Sequence, residues 1–166
     1  MRQHIRVRLL CQCGILIALS AIGSLVKFQG SIALDSAPGY FAALYLGPEA
    51  GALVGGLGHM LTAITSGFPL TVVMHMIVAL QMGIFVYLVG LIYRRINGLA
   101  AIVAAVILNG PVAALINVPI SELLGLPLKG WPLFSMMIIP LTVASAVNIA
   151  LAYLVLKVFP NQGDGQ

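Results

Sequence analysis

The chain has 166 residues, of which 61% are hydrophobic and 7% charged, with a formal net charge of +4 and a mean hydropathy of +1.10. So few polar side chains cannot cover a water-facing surface, which excludes a soluble domain and leaves an integral membrane protein. The apolar runs are long and unbroken, whereas a membrane barrel shows segments of about ten residues with alternating polarity, so the spans are helices.

The first run follows Arg2, Arg6 and Arg8 and extends from about Val7 to Val26. At about 1.5 Å per residue that is enough to cross a hydrocarbon core of about 30 Å. It carries no small-residue cleavage site before Lys27, and so reads as a retained helix and not a signal peptide. Cys11 and Cys13 lie at its basic end and read as reduced, small apolar side chains. The second helix starts after Ser36 as N-cap, takes Pro38 into its first turn and closes at Gly47. Its roughly eleven residues reach only about 16 Å, half a membrane. The stretch KFQGSIALD, Lys27 to Asp35, must complete that crossing by folding down into protein, where it would act as a lid.

The organising stretch is Ala43 to Met60, ALYLGPEAGALVGGLGHM. Gly47 supplies a φ > 0 residue to end one helix, Pro48 opens the next, and Glu49 sits in its first turn, where the helix dipole favours an anion. Gly51 and Gly55, with Ala52 and Gly56, form two overlapping small-xxx-small pairs, which predict one face for close helix packing. This third helix runs from Pro48 to about Thr65. Ser66 to Pro69 turns into helix 4, about Leu70 to Tyr93, closed by Arg94 and Arg95. Asn97-Gly98 leads to helix 5, about Leu99 to Ile120, where Asn109-Gly110-Pro111 predicts a kink. Helix 6 runs from about Trp131 to Phe159. The expected fold is an all-α integral membrane protein: a single domain, 1–159, of six transmembrane helices with a short helix 2 and a long outer loop 1, then a polar tail, 160–166. Arg2, Arg6, Arg8, Arg94, Arg95 and Lys157 fall on one side and only Lys27 and Lys129 on the other, which places both termini in the cytoplasm.

Polar groups inside a bilayer are costly, so their positions carry the functional signal. On helix 4, Thr71, Met74, His75, Val78, Gln81, Met82 and Phe85 recur at three- and four-residue steps. Asn109 and Asn117 on helix 5, and Trp131, Ser135 and Met136 at the start of helix 6, offer further groups toward the outer leaflet. Lys27, Gln29 and Asp35 from the lid and Glu122 from the last outer loop complete a small cavity that opens outward. Each has an alternative role: Trp131 as an interfacial belt residue, His75 and Gln81 as bonds between helices, Asp35 as a cap on helix 2, Asn117, Glu122 and Lys129 as wet loop residues. His59 and Asn148 read as packing or hydrogen-bonding residues.

The chain lacks a P-loop for ATP, paired intramembrane carboxylates for a proton relay, histidines at metal spacing and a serine–histidine hydrolase motif. No enzyme, cofactor, metal or nucleic-acid partner is expected. A stand-alone facilitator is disfavoured by the apolar inner half of the helices, and a membrane scaffold held by its glycine faces is the remaining rival.

The layout, with LGPEAGALVGGLG from Leu46 to Gly58 as its turn, resembles the substrate-binding S components of energy-coupling factor (ECF) vitamin transporters. The resemblance implies a high-affinity binding subunit of a prokaryotic cytoplasmic membrane. It would dock on a coupling subunit with two ATPases and topple in the bilayer to release its substrate. It also implies a ligand site under the first loop, between the outer ends of helices 4, 5 and 6. That family docks through two alanines four apart on helix 1; here Gly14 and Ala18 hold that spacing, followed by Ala21 and Ser24. The expected pocket, mixed in charge with Met74, Met136 and Trp131 as apolar walls, suits a mostly neutral heteroaromatic with hydroxyls. Among the family's ligands α-ribazole fits best, with thiamine precursors, riboflavin and niacin open.

Overall fold

The computed structural model describes residues 2–30 and 32–159, and of residues 2–5, 28 and 29 the backbone alone. The expected polar tail therefore lies outside the described residues, as does the side chain of Gln29. Six helices account for most of the chain: α1 (Arg2–Gly23), α2 (Ala37–Tyr45), α3 (Pro48–Thr65), α4 (Val72–Arg95), α5 (Gly98–Leu123) and α6 (Gly130–Val158). Of these, α1, α4, α5 and α6 are long and apolar enough to cross a membrane. Helix α2, with nine residues, is not.

The loop before α2 folds down into the protein and has more regular structure than its sequence shows. It forms a small antiparallel hairpin, β1 (Lys27–Gln29) paired with β2 (Ile32–Ala33), with Lys27 opposite Ala33. The Leu34 N–H also donates to the Val26 carbonyl at 3.1 Å. Strand pairing satisfies backbone groups that an irregular segment would leave bare at depth. The inner end of the loop, Ile32, Ala33, Asp35 and Ser36, is buried. Ser36 stands at the start of α2 as expected, but its side chain makes no capping bond. The cap comes from across the fold: Asn148 Oδ1 of α6 accepts from the Ala37 N–H at 2.8 Å.

The turn from α2 to α3 follows the predicted chemistry. Gly47 has φ +131°, a backbone conformation that a side chain would strain, and its neighbour Pro48 occupies the first turn of α3. Arg94, from the end of α4, donates to the Leu46 carbonyl at 3.3 Å, so this cation closes α2 as well as its own helix.

Helix α3 is the hub, packed against α1, α2 and α4. Its small residues serve three neighbours and not the single face expected. Gly51 lies against Ala43 of α2; a β-carbon on Gly55 would stand 3.0 Å from Val86 of α4; one on Gly58 would stand 2.7 Å from the Ser20 hydroxyl of α1. Gly56 faces the Ala79 carbonyl and Gly83 of α4 faces that of Ala52, so these two backbones cross in contact at reciprocal glycines. On the other side of α2, a core of Tyr40, Leu44, Val86, Val89, Ala105 and Ile149 joins α2, α4, α5 and α6. Its one polar group is satisfied: Ser145 donates to the Ala105 carbonyl at 2.9 Å, which leaves its oxygen to accept from the Tyr40 hydroxyl at 3.3 Å.

The expected kink in α5 takes the form of a π turn, Leu108–Val112. Pro111 has no N–H to return to the carbonyl four residues back, and a wider turn absorbs that missing bond without breaking the helix.

Candidate functional site

Beneath the hairpin loop, a cavity opens among four helices. Its floor and walls come from Ile32, Asp35 and Ser36 of the loop, His59 of α3, His75, Val78 and Gln81 of α4, Asn109 and Asn117 of α5, and Met137, Leu141 and Asn148 of α6. The space amounts to about 580 Å³ counting its mouth, yet a water molecule's centre can move over only about 50 Å³ of it. It is a narrow slot, far below the roughly 300–1,000 Å³ of an open ligand pocket.

Two features of the backbone bring these groups together. On α4, His75, Val78 and Gln81 follow the three- and four-residue spacing of one helix face. On α5, Asn109 and Asn117 are eight residues apart, which in a regular α-helix at about 100° per residue would set them about 80° apart. The π turn between them absorbs one extra residue and reduces that offset to about 20°. Asn109, Ala113 and Asn117 consequently line the same cavity.

The polar atoms fall into a satisfied set and an unsatisfied set. Asp35 accepts from the Thr62 hydroxyl at 2.6 Å and from the Ser36 hydroxyl at 3.1 Å. Asn148 Nδ2 donates to the Ala33 carbonyl at 3.0 Å and to that of Ala144 at 2.8 Å. Together with its cap on Ala37, this makes Asn148 the fastening between the loop and α6. By contrast, His75 Nε2, both amide atoms of Gln81 and Asn117 Oδ1 have no partner among the described residues. These side chains are 1%, 8% and 2% exposed, respectively. A buried polar atom without a partner costs about 1–3 kcal/mol, and four of them line this one slot. Among the described residues, no three histidine, cysteine or acidic side chains cluster to hold a metal.

Of the residues singled out in the sequence, the cavity gathers Asp35, His75, Asn109 and Asn117. Of the other expected ligand contacts, the side chain of Gln29 lies outside the described residues and the rest lie outside the lining. Lys27 is exposed and reaches toward the Thr65 carbonyl at 3.4 Å. Thr71 caps α4, its hydroxyl oxygen accepting from the Met74 N–H at 3.2 Å, and Met74 is fully buried in packing. Glu122 is exposed beside the Gly130 turn. Trp131 is 61% exposed and meets Phe134 edge-on, and Ser135, also exposed, donates to the Trp131 carbonyl at 3.0 Å. Met136 lines only a shallow depression beside Leu133 and Gly30.

Four polar lining residues were not among the expected ligand contacts: Ser36, His59, Gln81 and Asn148. Gln81 was visible in the helix 4 stripe, and Asn148 as a lone amide in an apolar helix. For His59 the sequence holds no signal, because its partner His75 is on another helix, with His59 Nε2 and His75 Nδ1 3.3 Å apart.

On helix α1, Gly14 and Ala18 are exposed, and a β-carbon on Gly14 would touch nothing within 4 Å. Ala21 is half-buried. Ser24, expected to extend that stripe, is buried, donates to the Ala21 carbonyl at 2.6 Å and lies 3.3 Å from the Thr65 hydroxyl.

No curated protein and no solved structure matches the chain. The family model for the substrate-specific component of ECF transporters matches residues 8–159, nearly the whole chain, and the protein belongs to that family.

Proposed function

We propose that the protein captures a small, neutral, donor-bearing heteroaromatic of the nucleoside type, α-ribazole being the best candidate, in the slot beneath the loop. Membership of the family makes the chain a membrane-bound, substrate-binding subunit that works with an energy-coupling module, a transport protein and not an enzyme. The single observation that carries the finer reading is the set of unpartnered atoms on His75, Gln81 and Asn117 around one cavity. Amide and imidazole groups with Met137, Leu141 and Val78 between them suit a flat ring with hydroxyls. Among the described residues no lysine or arginine lines the slot, which disfavours a strongly anionic vitamin.

In this reading all six helices belong to the membrane domain, both termini are cytoplasmic, and the hairpin loop is the outer lid. Lys27, Gln29, Thr71, Met74, Glu122, Trp131 and Ser135 then belong to the rim and its supports, around the ligand contacts Asp35, His75, Asn109 and Asn117. The coupling subunit, with its two ATPases, docks on α1 at Gly14, Ala18 and Ala21, and the subunit topples to release its cargo inside. Exposure of that stripe on a helix whose apolar window is only 11% buried supports the docking assignment. The scaffold reading loses ground because the α3 glycines are occupied within the chain.

The test is calorimetric titration of the detergent-purified protein with a vitamin and nucleoside panel that includes α-ribazole, alongside His75→Ala and Asn117→Ala. Saturable binding of one compound, weakened in both variants, is expected. Binding that is equally strong in both variants places the site elsewhere.

A further inference from the structure

Behind the cavity wall, three side chains from three separate elements stand in line. Asp35 comes from the loop, His59 from α3 and His75 from α4. The Thr62 and Ser36 hydroxyls stand 2.6 and 3.1 Å from the Asp35 oxygens, placed to donate to an ionised carboxylate. His59 Nδ1 lies 3.8 Å from Asp35 Oδ2. That is too long for a hydrogen bond, but in a buried setting the carboxylate's field favours a proton on the facing nitrogen. A neutral His59 protonated at Nδ1 has a bare Nε2, and a bare nitrogen accepts. Its neighbour at 3.3 Å, His75 Nδ1, must then be the donor. This consumes the one ring proton of a neutral His75. Its other nitrogen, Nε2, is left bare at the cavity wall, where it has no partner among the described residues.

Resting on the reading of this cavity as the substrate site, we propose that the Asp35–His59–His75 line fixes the tautomer of His75, making its Nε2 a hydrogen-bond acceptor that selects substrates presenting an N–H or O–H at that point. The line acts through order and not through charge transfer. No proton leaves the chain, and each imidazole holds its neighbour in one of two tautomers. His59 and Asp35 are positioning residues, and His75 is the one that meets the ligand. The specificity follows from desolvation: a ligand that lacks the donor leaves Nε2 buried and bare, whereas one that supplies it recovers a bond in a dry site. The discrimination sits beside Gln81, whose unpaired amide offers two N–H donors and an acceptor oxygen, and Asn117, whose unpaired Oδ1 offers a further acceptor.

The experiment is nitrogen-15 NMR of histidine-labelled full-length protein in detergent, in a His4→Gln background that removes the third histidine. Expected are Nδ1–H tautomers at both His59 and His75. In Asp35→Asn, whose amide can donate to His59 Nδ1, both rings are expected to exchange to Nε2–H. A proton on His75 Nε2 in the unaltered relay overturns the proposal, whether or not the Asp35 variant folds. Titration with benzimidazole and 1-methylbenzimidazole, which differ in one ring N–H, supplies the ligand arm: a preference of about tenfold for the N–H compound is expected, lost in Asp35→Asn. Equal affinity for the two overturns the selectivity. If neither compound binds while His75 is protonated at Nδ1, the heteroaromatic reading of the cavity fails and the relay stands. If either binds with His75 protonated at Nε2, the cavity reading stands and the relay fails.

Discussion

Helices α1 and α3 carry the same kind of residue to opposite ends. Both show small side chains at three- or four-residue steps, Gly14 and Ala18 on one, Gly51, Gly55 and Gly58 on the other. In α3 every one of those three positions is filled from outside by a neighbouring helix, and a β-carbon would meet Ala43, Val86 or Ser20. In α1 the space above Gly14 is open, and the helix turns Leu10, Ile15 and Ile22 outward beside it. Spacing alone states that a close approach is allowed. It does not state whether the approaching helix belongs to the same chain.

Substitutions should separate the two helices cleanly. The largest effect is expected for Gly55→Leu, which forces a side chain between α3, Gly39 and Val86; destabilisation of about 3 kcal/mol should appear as a marked loss of thermal stability in detergent. His75→Ala comes next. It removes the unpartnered Nε2 from the slot and the donor from His59 Nε2, and should weaken ligand binding about tenfold by calorimetry with a loss of about 1–3 kcal/mol in stability. Asn148→Ala breaks the fastening of the loop to α6 and should cost about 1–2 kcal/mol, with faster amide hydrogen exchange confined to Ala33–Ala37. The smallest effect on the isolated protein is expected for Gly14→Leu: stability within about 0.5 kcal/mol of the parent and unchanged ligand affinity, but uptake lost in cells that express the coupling module. Were Gly14→Leu to unfold the protein, or Gly55→Leu to leave it intact, the contrast between the helices would be void.

Much of the fold could be read in the chain because membrane helices are bounded by residues with plain physical meanings. Gly47-Pro48 and Asn97-Gly98 punctuate the structure where they stand, and α3 begins and ends where its sequence predicts. The hairpin of β1 and β2 was not legible, since its strands are three and two residues long and carry no alternation. The site was legible in outline and not in detail. His75, Asn109 and Asn117 announced themselves as polar groups in apolar helices, and they do converge. Trp131 and Ser135 announced themselves in the same way, yet point outward, because at the first turn of α6 a polar group can reach water and has no need of a cavity. Asn148 reads in the sequence as a packing or hydrogen-bonding residue, and which bonds it makes, as helix cap and loop anchor, depends on partners more than a hundred positions away.

The π turn of α5 has a consequence for how such a slot could change over generations. The part of this helix beyond Val112 keeps its bearing because the turn absorbs a surplus residue. Deleting one residue between Leu108 and Val112 would let the turn close as regular α-helix, with Asn109 and Asn117 seven residues and about 20° apart, so Asn117 would stay in the slot. The same one-codon deletion in the regular helix on either side would rotate everything beyond it by about 100°. A lineage could therefore lose a residue here and keep its cargo, and an alignment that counts only identities would record the change as a gap.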